Sequence, residues 1–330
     1  MFEKFYGLSG PPFQLTPDQR FFYGSSQHSR AIAHLTFGLA QAEGFIIVTG
    51  EVGAGKTTLI ERLLTQLDRR AYVVARINTT QLSAEDLFRL AMAGFGIEPE
   101  GQSKAAMLLR FEDVLRDQRA AGRRCLLVVD EAQNLPIPAI EELRMLSNIT
   151  EGGRASLQTI LLGQPQFRKI LASPELDQLR QRVLASYHLG PLSNDETRDY
   201  IRHRLATAGW VDRPRWHDDA FDAVFTATGG IPRRINRLSG RVMLLGALEA
   251  SDQITAEMVR TTAAELDNDL EAGAASAATQ AVSGLAAIRA AFTAEEPPTL
   301  APRIAALEAQ SARQERMLQR ILAIASGEQP

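Results

Sequence analysis

Two short stretches of this chain carry residues whose types and spacing suit phosphate chemistry. The first is Gly50-Glu51-Val52-Gly53-Ala54-Gly55-Lys56-Thr57-Thr58, with the spacing G-x-x-x-x-G-K-T. Glycines have no Cβ, so successive backbone N–H groups can turn inward and surround phosphate oxygens. A helix opening at the end of such a loop adds unpaired N–H donors and the positive end of its dipole. In this arrangement residues 50–58 wrap a nucleotide's phosphates, Lys56 bridges the β- and γ-phosphates, and the Thr57 hydroxyl ligates Mg2+. The second stretch is Asp130-Glu131, which ends the apolar run Cys125-Leu126-Leu127-Val128-Val129. Downstream of a phosphate loop, such a pair is expected to hold Mg2+ through its water shell (Asp130) and to orient or deprotonate an attacking water (Glu131). ATP and Mg2+ are the expected substrate and cofactor. Gln164 is a candidate sensor of the γ-phosphate, and Arg233 a candidate lid residue that pairs with it.

The loop works only if a strand feeds it and a helix leaves it. Phe45-Ile46-Ile47-Val48-Thr49 reads as a buried strand, and residues 57–66 read as a helix. Further strands are expected over 71–77, 125–129, 157–163 and 185–189, with helices over 83–93, 103–120, 139–148, 166–171 and 174–183 between them. The last of these helices would carry Arg180 and Arg182. Strands alternating with helices around a phosphate loop imply a mostly parallel sheet covered on both faces. Gln164 would then lie between the two motif strands. Upstream, residues 1–26 form a turn-rich aromatic arm, placed either to cover the adenine or to pack into a core. Ser26 is expected to cap a helix over 27–41.

From Pro191 the pattern becomes helix only. Segments 196–208, 218–228, 232–248 and 256–267 predict a small helical lid, with Pro232 in the first turn of its third helix and Arg233 beside it. The expected organisation is an α/β nucleotide-binding domain with its arm over 1–192 and a lid over 193–267. A flexible linker over 268–300 and an amphipathic helix over 301–326 would follow. That helix carries a short coiled-coil seam, Ile304, Leu307, Ser311, Gln314, Leu318, Ile321 and Ala325, suited to docking a partner or another copy.

Composition excludes several classes. The 330 residues are 45% hydrophobic and 23% charged, ordinary for a soluble globular protein. A net charge of −3 gives no global attraction to nucleic acid. The single cysteine, Cys125, forms no intramolecular disulfide and reads as core packing. No signal peptide is expected, and no run reaches the roughly 18 apolar residues a membrane span needs. A cytoplasmic or peripheral location is expected.

The chain resembles the general secretion pathway protein A family within the AAA+ ATPases. The resemblance rests on Phe5-Tyr6-Gly7-Leu8, Pro12-Phe13, Pro17-Asp18, Phe21-Phe22 and the phosphate loop. It continues through Asp130-Glu131-Ala132-Gln133, Leu162-Gly163-Gln164-Pro165, Gln181-Arg182 and Gly230-Ile231-Pro232-Arg233. It covers about residues 1–265, and this ordered set is far more specific than the loop alone. It implies an oligomer with sites between subunits, Arg182 or Arg180 as an arginine finger acting in trans, and Arg233 as lid sensor. Longer members continue into a membrane span and a peptidoglycan-binding domain. This chain is more similar to the short form found with exosortase and exopolysaccharide export systems. The resemblance thus implies an ATPase motor or switch at the cell envelope, meeting a membrane partner through its C-terminal helix. A DNA-dependent ATPase of the transposition target-selector type is the alternative, favoured by Arg233, Arg234, Arg237 and Arg241 and opposed by the mild acidity.

Overall fold

A computed structural model describes residues 2–16, 18–78, 82–98 and 103–268. The expected linker and C-terminal helix lie outside the described residues. The main elements in chain order are α1 (Ser26–Gln41), β1 (Phe45–Gly50), α2 (Lys56–Gln66), β2 (Tyr72–Asn78), α3 (Ala84–Gly94), α4 (Lys104–Ala120), β3 (Arg124–Asp130), α5 (Ile137–Leu146), β4 (Leu157–Gly163) and β5 (Val183–Leu189). The helices α6 (Asn194–Thr207), α7 (Asp218–Thr228), α8 (Pro232–Leu248) and α9 (256–268) follow.

The five strands form one parallel sheet in the order β2-β3-β4-β1-β5. Alternation along each strand sends side chains to opposite faces. Phe45 and Ile47 of β1 therefore join Leu127 and Val129 of β3 on the face covered by α3, α4 and α5. Ile46 and Val48 join Leu126 and Val128 on the other face, under α1 and α2. Because both faces are covered, β1 is buried along its whole length, which is why it reads as a continuous apolar run.

This strand order positions the chemistry. Since β4 separates β1 from β3 and all three run parallel, the phosphate loop, Gln164 and Asp130-Glu131 leave the sheet at one edge. Ligands of open parallel sheets bind there, where the direction of chain progression reverses.

The lid helices α6 to α9 enclose a second apolar core built from Tyr200, Leu205, Phe221, Ile235, Val242 and Val259. Ser193 and Glu196 start α6 with a capping box. Tyr6, Leu8 and Phe13 of the N-terminal arm are buried in this core, and Tyr6 Oη donates to the Ser251 carbonyl at 3.2 Å. The arm, which opens with a short helix at Phe2–Tyr6, thus packs on the lid.

Two expectations are corrected. The α1 cap is Ser25, whose hydroxyl accepts from the His28 amide, with Ser26 already helical. No continuous helix covers 174–183: a 3-10 turn at Pro174–Leu176 and one α-turn at Asp177–Arg180 precede β5, which begins at Val183. Arg182 therefore sits at the entrance to a strand. The β-branched Val183 is drawn into the sheet by pairing with Phe45, which ends the helix early. The two-residue strand pairs 150–151 with 154–155 and 215–216 with 253–254 were not foreseen.

Candidate functional site

The phosphate loop takes its shape from two glycines. Gly53 and Gly55 have φ of +83° and +100°, the left-handed region where a Cβ is strained. Lys56 opens α2 and folds back over the loop, its Nζ donating to the Gly50 carbonyl at 2.8 Å and the Glu51 carbonyl at 3.1 Å. Burial pulls the Lys56 pKa below its ordinary value, against the opposing pull of Glu131, Asp130 and Glu51. The next residue, Thr57, donates from Oγ1 to Asp130 Oδ2 at 2.7 Å. The two stretches singled out in the sequence, 73 positions apart here, are in direct contact.

Glu131 has φ of +51°, which turns the chain away from the sheet edge immediately after β3. Its Oε2 accepts from Gln133 Nε2 at 2.5 Å and from Gln164 Nε2 at 3.1 Å. Gln133 Oε1 in turn accepts from the Gln164 amide at 2.9 Å. Burial pushes the Glu131 pKa up, but the hydrogen bonds from Gln133 and Gln164 and the charge of Lys56 outweigh it. The net shift is downward. Gln164 thus lies beside the motif carboxylate, and Gln133, named above only as part of the family motif, completes its support.

Hard oxygen donors suit Mg2+, which is held by one or two protein oxygens together with substrate phosphates. The Thr57–Asp130 pair fits that requirement. Among the described residues no group of three or more His, Cys, Asp or Glu could hold a metal ion by itself.

The lid reaches the loop directly. The Arg233 amide, at the start of α8, donates to the Gly53 carbonyl at 3.2 Å. A Cβ at Gly53 would lie 2.2 Å from Arg233 Cβ. Arg233 lines the same cleft as Lys56 and Glu131, a space of about 360 Å3, within the range of about 300–1,000 Å3 typical of small-molecule sites. The arm supplies another wall through Gln14, Leu15, Phe21 and Phe22. Within the arm, Tyr6, Leu8 and Phe13 pack in the lid core, whereas Gln14, Leu15, Phe21 and Phe22 border the cleft.

Two cleft residues had no sequence signal. Arg204 on α6 is buried and holds the arm: Nε donates to the Pro12 carbonyl at 2.5 Å and Nη2 to the Gln14 carbonyl at 3.2 Å. Its Nη1 donates to Tyr200 Oη at 2.9 Å, and its guanidinium lies 4.8 Å from the Phe21 ring centroid. His28 is buried beside Gly55, with Nδ1 2.6 Å from Ser25 Oγ. Burial holds its pKa below the usual value, with Glu196 pulling the other way.

Arg180 and Arg182 lie elsewhere, ahead of β5 and away from this chain's own cleft. Arg180 is exposed, pairs with Asp177 and donates to the Leu171 and Ser173 carbonyls at 2.9 Å. Arg182 is half-buried and donates to Ser147 Oγ at 3.1 Å. The basic run on α8 also divides. Arg233 faces the cleft and Asn236 is buried, whereas Arg234, Arg237 and Arg241 are exposed at spacings of three and four that share one face.

A family model for the AAA domain matches residues 39–171. General secretion pathway protein A of Aeromonas hydrophila is 37% identical over 258 residues, 77% of this chain and 46% of that protein. The chain therefore spans about half the length of this relative. Among solved structures, Cdc6p from Pyrobaculum aerophilum aligns with a TM-score of 0.60 at 15% identity, over 76% of this chain and 71% of that one. The Aeropyrum pernix ORC2 protein, in ADPNP–ADP complexes, aligns with a TM-score of 0.59 at 15% identity, over 77% and 71%. At such identities these likenesses speak for the fold alone, and that fold is the phosphate-loop AAA+ fold. Together with the phosphate loop and its facing carboxylates, these findings establish that the chain belongs to the AAA+ proteins, as a member of the general secretion pathway protein A family.

Proposed function

We propose that this protein binds and hydrolyses ATP, and that the cycle drives a motor or switch of a cell-envelope secretion or exopolysaccharide export system. The observation that carries the reading is the convergence of Lys56, Thr57, Asp130 and a hydrogen-bonded Glu131 at one edge of the sheet. Residues 50–58 would hold the phosphates, and Lys56 would exchange its two loop carbonyls for phosphate oxygens. Thr57 and Asp130 would hold Mg2+, which would supply charge neutralisation on the transferred phosphoryl group. Glu131, kept ionised and aimed by Gln133 and Gln164, takes a proton from the water that attacks the γ-phosphorus, leaving ADP and phosphate. Arg233, seated on Gly53 at the tip of the lid, would read the γ-phosphate and couple it to lid position.

In this reading residues 1–192 form the nucleotide-binding domain and 193–267 the lid. Residues 301–326, which lie outside the described residues, are the partner-docking segment of this reading. The protein acts as a homo-oligomer in which Arg180 or Arg182 of one copy completes a neighbour's site, since neither lines the cleft of its own chain. It works in the cytoplasm or at the inner membrane through a partner. Among the described residues no helix is long and apolar enough to cross a membrane. The relationship to general secretion pathway protein A supports an envelope role.

A second reading, a DNA-dependent ATPase, draws on the exposed Arg234, Arg237 and Arg241 face of α8. Steady-state ATP hydrolysis across protein concentrations, with and without duplex DNA at two salt levels, separates the two. The envelope reading expects turnover that rises with protein concentration and ignores DNA. Salt-sensitive stimulation by DNA would overturn it in favour of the second.

A further inference from the structure

A second cavity, larger than the nucleotide cleft, lies elsewhere in the molecule. It lies at the opposite end of the sheet, where β2, β3 and β4 begin, and encloses about 530 Å3. Arg119, Arg123, Arg124 and Arg154 line it, with Glu43 as the lone carboxylate. Two of the four guanidiniums are fixed in place. Arg119 Nη1 donates to the Arg154 and Ala155 carbonyls at 3.1 and 3.2 Å. Arg124 Nη1 donates to the Leu39 carbonyl and Tyr72 Oη, both at 3.3 Å. The wall formed by the end of α1 is pinned by the buried Gln158, whose Nε2 donates to the Gly38 and Glu43 carbonyls at 2.8 and 2.9 Å.

Several arginines of this protein pair with carboxylates, among them Arg20, Arg89, Arg144, Arg198 and Arg213. Among the described residues none of the four arginines of the basal cavity forms an ion pair. Some of their charge answers the structure itself. The C-terminal ends of α1 and α4 face this side and contribute about half a negative charge each. With Glu43 that makes about two negative charges against four positive ones, leaving about two uncompensated. A phosphate monoester carries about −1.5 to −2 at neutral pH, and guanidinium forks match phosphate oxygens in geometry as well as sign.

We propose that this basal cavity is a second ligand site, distinct from the nucleotide cleft, that takes a phosphomonoester or diphosphate group. The group is presented either by a soluble phosphorylated molecule or by an anionic lipid headgroup. Its distance from the phosphate loop lets both sites be filled at once.

The test keeps the nucleotide site saturated with ADP and titrates the full-length protein with pyrophosphate at low salt. In parallel, the protein is sedimented with vesicles of phosphatidylcholine alone or with added phosphatidic acid. Both measurements are repeated on Arg123→Glu/Arg154→Glu, whose two altered side chains are exposed and remote from Lys56 and Glu131. Saturable pyrophosphate binding that weakens by about tenfold or more in the variant, with ATP turnover unchanged, establishes a soluble ligand. Binding only to phosphatidic acid vesicles, lost in the variant, establishes a lipid headgroup. Absence of binding in both arms, or binding that the double variant leaves intact, overturns the proposal.

Discussion

Replacing Gly53 with alanine tests whether the lid and phosphate loop act as one unit. The motif G-x-x-x-x-G-K-T leaves this position free, so sequence logic alone tolerates the change. The structure does not. Alanine at φ of +83° costs about 1–2 kcal/mol of backbone strain. Its Cβ would stand 2.2 Å from Arg233 Cβ, whereas carbon atoms rest about 3.5–4.0 Å apart. The start of α8 must therefore retreat by roughly 1.3–1.8 Å on the same contact distances. That retreat breaks the 3.2 Å bond from the Arg233 amide to the Gly53 carbonyl, worth about 0.5–1.5 kcal/mol. The two effects together come to about 1.5–3.5 kcal/mol, or a factor of roughly 10 to 400. Titration with a fluorescent ATP analogue should show affinity falling by that order, with Tm lowered by a few degrees. Because the clash is with Arg233 Cβ, adding Arg233→Gly should relieve the steric share and give a positive coupling in a double-mutant cycle. Wild-type affinity in Gly53→Ala would refute the reasoning.

Other perturbations separate the remaining parts. Arg204→Met removes two hydrogen bonds to the arm and one to Tyr200 and should cost about 2–4 kcal/mol of stability. The same change should raise the KM for ATP more than it changes kcat, and Arg204→Lys should recover part of the loss. Unchanged Tm and KM would remove Arg204 from the account. His28 has a folded pKa below its usual 6.5, so below that value the unfolded chain binds the extra proton more readily than the folded one. Stability from this site is complete above about pH 6.5 and falls as the pH drops through the depressed folded value. Thermal melts of His28→Gln should lose that part of the slope between about pH 7 and 5, and a slope identical to wild type would assign it elsewhere.

What the sequence disclosed follows the range of the interactions involved. The phosphate loop, the apolar strand before it and Asp130-Glu131 were legible because local spacing carries their chemistry. The sheet could be read because β1, β3 and β4 are buried on both faces and appear as unbroken apolar runs. Gln164 was placed from its position after a strand expected between the motif strands, and its bond to Glu131 makes that contact explicit. Arg204 was invisible because an arginine on a polar helix such as α6 reads as surface. Its burial depends on carbonyls of Pro12 and Gln14, about 190 positions earlier. The demand on Gly53 likewise comes from Arg233, far along the chain. The turn at Asp177–Arg180 was overextended because strand pairing through Val183, a tertiary contact, ends it. Arg119, Arg123 and Arg124 of the basal cavity cluster around the turn between α4 and β3, but Arg154 joins them only through the fold of the 150–155 hairpin.

The central claim is that Glu131 activates water for ATP hydrolysis while the phosphate loop binds the nucleotide independently. The most direct measurement is paired ATP binding and single-turnover hydrolysis for wild type, Lys56→Ala and Glu131→Gln. Glu131→Gln should bind ATP as wild type does yet hydrolyse it about a hundredfold or more slowly, and Lys56→Ala should weaken binding itself. Normal turnover by Glu131→Gln would contradict the assignment of the catalytic carboxylate and with it the mechanism.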